Sequence, residues 1–189
     1  MYFLSQSLII EPTKIHFTGS NEYGTKSDVT MEWERDLLSG SVSYICENGG
    51  DILEIGFGLG IPAGYIQSHS ITSHTIIEPH PDLYPLAQAW AADKPNVTVI
   101  TQNWYEVLDT LSTYDGVLYD TYGDENVQFL SSSLTQLVKP GGKVTWWNPL
   151  PTSESILNIP DTQFEEFIVD PPQNTYFNHN KYFMPKKQF

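Results

Sequence analysis

Between Asp51 and Trp147, short apolar runs alternate with segments of helical length and spacing, and this alternation restricts the fold more than any other feature of the chain. Asp51-Ile-Leu-Glu-Ile-Gly56 has the composition of a buried strand, and its glycines open a turn into a helix over about 61–68. Thr75-Ile-Ile-Glu78 reads as a second short strand. A helix rich in Ala and Leu follows over about 82–92 and stops at Lys94-Pro95, because proline lacks the amide that another turn requires. Asn96 to Thr101 and Tyr114 to Asp120 supply third and fourth strands. Val127, Leu130, Leu134, Leu137 and Val138 recur at helical spacing over 126–138, and Lys139-Pro-Gly-Gly142 ends that helix with glycines suited to a left-handed cap. Lys143 to Trp147 is a fifth strand. Crossovers of this kind return over the sheet in the right-handed sense, which makes successive strands parallel. The expected class is α/β, a doubly wound, Rossmann-like, mainly parallel seven-stranded sheet.

The flanks follow other rules. Residues 1–27 read as irregular, and a helix is expected from about Asp28 to Cys46 with Asp28 as its N-cap. Beyond Asn148-Pro149 a polar, proline-containing connection leads to two β-like runs, 163–169 and 176–184, expected to form a terminal antiparallel hairpin. Residues 148–163 leave no room for another long helix, so the architecture is shortened after the fifth strand and one sheet face is thinly covered. A homodimer partner, or the acidic connection itself, is expected to cover it. No repeat or linker divides the sequence, so 1–189 is read as a single domain.

Charge and cysteine content narrow the function. Asp and Glu number 23 against 9 Lys and Arg, a formal charge of −14 that repels phosphate polyanions. The one basic cluster, Lys181, Lys186 and Lys187, has the character of a solvated end, so no nucleic-acid partner is expected and a small or cationic one suits the balance better. Cys46 stands alone, which excludes a disulfide-built scaffold. His16, His69, His74, His80 and His179 show no ligand-like pairing, and no metal is expected. No apolar run approaches the roughly 18 residues a membrane span needs. Met1 to Ile10 lacks the basic start and long apolar stretch of a secretory signal, which predicts a cytoplasmic protein.

In an open parallel sheet, ligands lie beyond the carboxyl ends of the strands where strand order reverses. There, Glu54-Ile-Gly56-Phe57-Gly58-Leu59-Gly60 sets glycines on alternate positions, so main chain can approach a ligand closely. A dinucleotide fingerprint wants a third glycine or alanine where Ile61 stands, which argues against nicotinamide and flavin cofactors. Glu78 ends the second strand about 20 residues beyond the first glycine, where an acid meets a ribose diol. Asn103-Trp104 after the third strand and the Pro-Gly-Gly turn before the fifth make the set specific.

With these residues the sequence resembles the class I S-adenosylmethionine-dependent methyltransferases. A narrower likeness joins Met31-Glu-Trp33-Glu34, Leu53 to Gly58, Ile76-Ile-Glu78, Trp104 and Gly116-Val-Leu-Tyr-Asp120-Thr-Tyr122 to the family of guanidinoacetate N-methyltransferase and arginine δ-N-methyltransferase. The likeness runs over about 29–148 and returns weakly at Pro171-Pro172 and Tyr182 to Pro185. It implies that Glu54, Gly56, Phe57, Gly58, Leu59, Gly60, Ile61 and Glu78 hold the methionine and ribose portions of S-adenosylmethionine, with S-adenosylhomocysteine as product. Asn103 and Trp104 would border the adenine, and Asp120 would adjoin the cofactor. It further implies that Glu34 and Asp120 hold a guanidinium, with Thr121, Tyr122 and Asn148 as further substrate contacts. In the family a methionine ahead of the Trp-Glu touches the cofactor; this chain has Thr30 in that place.

The chemistry makes sense of the two acids independently. A guanidinium is planar and stays protonated past neutral pH, so carboxylates fix its orientation through paired hydrogen bonds. The attacking nitrogen must lose a proton as the new bond forms, and Asp120 is the expected acceptor. The chain is thus read as an N-methyltransferase acting on a small guanidino compound. Its parts would be a lid and substrate segment (1–50), a cofactor-binding core (51–147), and a connection with terminal hairpin (148–189). Other readings are a methyltransferase of the same fold acting on another amine or a protein arginine, and a cofactor-binding protein without turnover.

Overall fold

The computed structural model describes residues 3–19, 27–124 and 127–189, and the side chains of all of these except 127–129. The start of the expected 126–138 helix at Asn126 lies outside the described residues. Strands β1 (Leu8–Glu11), β2 (Lys14–Phe17) and β3 (Asp28–Met31) form a small antiparallel sheet ahead of the core. A single turn of 3₁₀ helix, Glu32–Glu34, leads into α1 (Arg35–Ile45). The core follows as β4 (Asp51–Ile55), α2 (Ile61–Ser68), β5 (Ser73–Ile77), α3 (Tyr84–Ala91), β6 (Val97–Ile100), α4 (Trp104–Val107), β7 (Tyr114–Tyr119), α5 (Val127–Leu137) and β8 (Val138–Trp146). The hairpin comprises β9 (Gln163–Ile168) and β10 (Lys181–Gln188).

The main sheet has seven strands in the order β6-β5-β4-β7-β8-β10-β9. The first five are parallel, and β10 runs antiparallel to both β8 and β9. From β4 the chain winds outward to β5 and β6, then returns to β4's other side as β7. The strand order therefore reverses between β4 and β7, and their carboxyl ends open a crevice there.

Alternation along the strands divides the core into two layers. Ile52 and Leu118 pack with Val42 and Ile45 of α1 and Ile66 of α2. Leu53, Ile55, Val117 and Tyr119 face the other way, against Leu130, Leu134 and Leu137 of α5. Each such leucine contributes roughly 1.5–3 kcal/mol on leaving water. Leu157 and Ile159 of the connection join this second layer, buried at 2% and 9% exposure. The connection itself thus lies on this face, one of the two coverings expected for it.

Four expectations need correction. Asp28 does not cap a helix but begins β3, where its main-chain N–H donates to Thr175 Oγ1 (2.7 Å) and its carboxylate accepts from the Thr175 N–H (3.2 Å). Its partner lies far along the chain, beyond any local pattern. The stretch expected to be irregular contains β1 and β2, each only four residues long, too short to show a period. The second hairpin strand begins at Lys181 rather than Tyr176, because Asn174 folds residues 174–177 into a turn. At Lys139 to Gly142, helix α5 has already ended, and these residues bulge within β8 between its Val138 and Lys143 pairings with β7. Gly141 takes φ +82° there.

No helix among the described residues is long and apolar enough to cross a membrane. Nor is there, among them, a group of three or more His, Cys, Asp or Glu side chains placed to hold a metal ion.

Candidate active site

A cavity of about 360 Å³ fills the crevice beyond β4 and β7. Gly56, Phe57, Gly58, Leu59 and Ile61 line it with the loop that joins β4 to α2. Gly56 has φ +99°, and a Cβ on it would stand 2.0 Å from the main-chain oxygen of Asp120. The β4 and β7 ends are thus pressed together by a residue without a side chain. Gly60 turns at φ +72° to start α2, facing away from the cavity.

Glu78, at the end of β5, lines the cavity at 3% exposure. Its Oε2 accepts the Phe57 N–H (2.9 Å) and its Oε1 the His80 N–H (2.9 Å), so the acid braces the glycine loop from beneath. Burial pushes its carboxyl upward, while the N–H groups of Phe57, His80 and Gly58 favour the charged form. Asn103 and Trp104 also line the cavity. Trp104 Nε1 donates to Asp124 Oδ2 (2.7 Å), and Tyr119 Oη donates to the same oxygen (2.5 Å), so the loop after β7 is tied across to α4.

Glu34 closes the opposite wall. It ends the 3₁₀ turn, and its Oε1 reaches back to accept the Met31 N–H (3.0 Å), one of the donors that a helical first turn leaves without a main-chain partner. Tyr176 Oη also donates to Oε1, and Thr30 Oγ1 lies 3.5 Å from Oε2. Glu34 is 3% exposed and lines the same cavity as Asp120, which follows β7 directly. Burial pushes the Glu34 carboxyl up to about 8, and the nearby charge of Asp120 adds to this, whereas the hydrogen bonds from Tyr176, Met31 and Thr30 oppose it. Burial likewise pushes Asp120 up to about 7, with the charge of Glu54 adding. Asp120 is half-buried only because it faces the cavity.

Thr121 and Tyr122 line the cavity as well. Three expected contacts do not: Gly60, Glu54 and Asn148. Glu54 is fully buried on the α2 side of β4, with Oε2 2.8 Å from His74 Nε2. Inward-facing and outward-facing residues alternate along a strand, and Glu54 points into the layer below the cleft. Asn148 is fully buried and spends its side chain on main chain. Its Nδ2 donates to the oxygens of Glu154 (2.9 Å) and Phe183 (3.0 Å), and its Oδ1 accepts from Leu150 N–H (3.3 Å). It braces the connection against β10 and touches no cavity.

Sequence reasoning missed Tyr176, Trp147, Phe3 and Asp124, all of which line the cavity. Phe3 packs on His80 (centroids 4.7 Å apart) and on Tyr122 (5.6 Å). Phe3 and Tyr176 lie outside the strand–helix alternation, whereas Trp147 ends its fifth expected strand and Asp124 follows its fourth; no local spacing marks any of them.

The sequence profile of the family described as guanidinoacetate N-methyltransferase matches residues 24–183. The chain belongs to the guanidinoacetate N-methyltransferase family. Two proteins similar to this chain carry the name protein arginine N-methyltransferase 2. The one from Kluyveromyces lactis is 32% identical over 137 residues, covering 66% of this chain and 34% of that protein. The one from Yarrowia lipolytica is 28% identical over 176 residues, covering 82% of this chain and 37% of that protein. The chain thus spans about a third of the length of the curated relatives it matches. Among solved structures, the N-methyltransferase NodS from Bradyrhizobium japonicum superposes with TM-score 0.63 at 13% identity, covering 82% of this chain and 96% of that one. Spermidine synthase from Thermotoga maritima superposes with TM-score 0.62 at 12% identity, covering 96% of this chain and 72% of that one. At such identities the likeness establishes the class I methyltransferase fold.

The cofactor of this guanidinoacetate N-methyltransferase family is S-adenosylmethionine, and the cavity fits it. Gly56 and Gly58 give the cavity an edge without side chains, and the Glu78 carboxylate borders the same loop. Ile77, Pro79 and Leu83 add apolar lining to the cavity that Asn103 and Trp104 also line. Thr30 stands at the place of the family methionine and lines the cavity, 3.3 Å from where a Cβ of Gly58 would lie.

Proposed function

We propose that this chain is an N-methyltransferase that transfers the methyl group of S-adenosylmethionine to the guanidino group of a small guanidinoacetate-like or arginine-like compound. The observation that carries the reading is the convergence of Glu34, from ahead of the core, and Asp120, from its centre, on one cavity beside the glycine loop.

When bound, the cofactor supplies an electrophilic methyl on a sulfonium, open to in-line displacement. Glu34 binds the guanidinium through the carboxylate that Met31 and Tyr176 orient. Asp120 aligns the attacking nitrogen and takes its proton on a carboxylate oxygen as the N–C bond forms and the C–S bond breaks. Its elevated midpoint, about 7, suits a base working near neutral pH. The cation also offsets the mutual repulsion of the two acids. Phe3, Tyr122 and Trp147 exclude water from the reacting atoms.

A second reading takes the arginine side chain of a protein as acceptor, and the relatives named protein arginine N-methyltransferase 2 favour it. A tritiated methyl donor offered with guanidinoacetate, free arginine and protein fractions distinguishes the two. Label on the small guanidines supports the first reading, and label on protein alone overturns it in favour of the second.

A further inference from the structure

The hairpin connection carries a residue that reaches the acceptor wall from the far end of the chain. Tyr176 lies between β9 and β10 on a turn pinned by Asn174, which is 7% exposed. Asn174 Oδ1 accepts the N–H groups of Tyr176 (3.0 Å) and Phe177 (2.7 Å), while its Nδ2 donates to the oxygens of Pro172 (2.9 Å) and Phe177 (2.7 Å). Every strong hydrogen-bonding group of that side chain is used, so the turn has one geometry. Residues on either side lock it to the N-terminal segment. Thr175 pairs with Asp28, and Phe177 stacks on Trp33 with centroids 5.9 Å apart. Tyr176 stacks on the same indole (6.3 Å) and accepts its Nε1–H (3.2 Å).

With the indole donating to its oxygen, the Tyr176 hydroxyl has its own hydrogen left to give, and it gives it to Glu34 Oε1. We infer that Tyr176 is a positioning residue of the acceptor site, whose hydroxyl fixes the Glu34 carboxylate in the orientation and charge state that a guanidinium requires. This rests on the function proposed above. Burial and the Glu34 charge push the Tyr176 phenol upward, so it stays a donor throughout the working pH range. A carboxylate given a charge-assisted hydrogen bond ionises more readily, and Glu34 needs that help because burial opposes it.

Tyr176→Phe keeps the ring, its stacking and its volume, and removes only the hydroxyl. In the full chain, with saturating S-adenosylmethionine, we expect KM for the guanidino acceptor to rise about tenfold, and the acidic limb of kcat/KM to move about one pH unit upward. Cofactor affinity should change less than about twofold. In a Glu34→Gln background the same substitution should add no further pH shift, because no carboxylate remains to respond. Unchanged KM and pH profile in Tyr176→Phe would overturn the inference, as would an equal pH shift in the Glu34→Gln background. A second readout does not depend on turnover. Carbon-13 titration of the Glu34 carboxyl should show a higher midpoint in Tyr176→Phe than in the parent, and equal midpoints would overturn the positioning role. If the parent methylates no guanidine, the substrate reading fails, while the titration still decides on Tyr176.

Discussion

Glu54 and His74 face each other across the β4–β5 ladder, Oε2 to Nε2 at 2.8 Å, with neither side chain exposed. Burial raises the Glu54 carboxyl while His74 opposes the rise, and the charge of Glu54 in turn helps raise Asp120. A pair below the cavity thereby influences the residue proposed as base above it. Removing one member of such a pair leaves the other buried without its partner, which is costlier than losing both. His74→Leu should therefore destabilise the protein by about 3 kcal/mol. Urea denaturation measures this, and a loss below about 1 kcal/mol would show that the pair carries no net interaction.

Asp120→Asn preserves shape and removes both the charge and the proton acceptor. Turnover on a guanidino acceptor should fall about a thousandfold. Affinity for S-adenosylhomocysteine by titration calorimetry should stay within a few-fold, since the lost charge faces the acceptor. Parent-like turnover would take Asp120 out of the mechanism.

The elevated midpoint of Glu34 makes stability depend on pH with a definite sign. The carboxyl titrates near 4.5 when unfolded and at about 8 when folded, so between those values the folded chain binds more protons. The stabilisation is fully present below the unfolded midpoint and is lost as pH rises through about 8. Glu34→Gln cannot ionise and should gain on the parent by an amount on the order of 4 kcal/mol between pH 4.5 and 8.5. Denaturation of both proteins at the two pH values tests this, and parallel pH dependences would contradict it.

Gly56→Ala places a methyl 2.0 Å from the Asp120 oxygen in a backbone conformation that disfavours side chains. The β4 and β7 ends must separate, so we expect destabilisation of about 2 kcal/mol or more and a severalfold weaker cofactor. Thermal melting with and without S-adenosylhomocysteine gives both quantities. A parent-like melting temperature would mean that the contact relaxes at little cost.

The parallel core was legible because each strand and helix carries its own apolar period: the expected 61–68 helix coincides with α2, and Tyr114 to Asp120 with β7 to within one residue. The site was legible where it sits at strand ends, as with Glu78 and Asp120, since topology alone directs those positions to the cleft. Glu34 came from family likeness, because by pattern it belongs to an ordinary charged turn. Glu54 shows a limit of motif reasoning. The motif places it next to the cofactor loop, whereas strand alternation turns it into the layer below. Tyr176 was invisible because its place depends on Asn174, Trp33 and Asp28 meeting in space, and no period in 169–180 encodes that meeting.

Glu78 holds the amides of Phe57, Gly58 and His80 through bonds made within the chain itself. A cofactor seated against this loop would therefore spend less on ordering it.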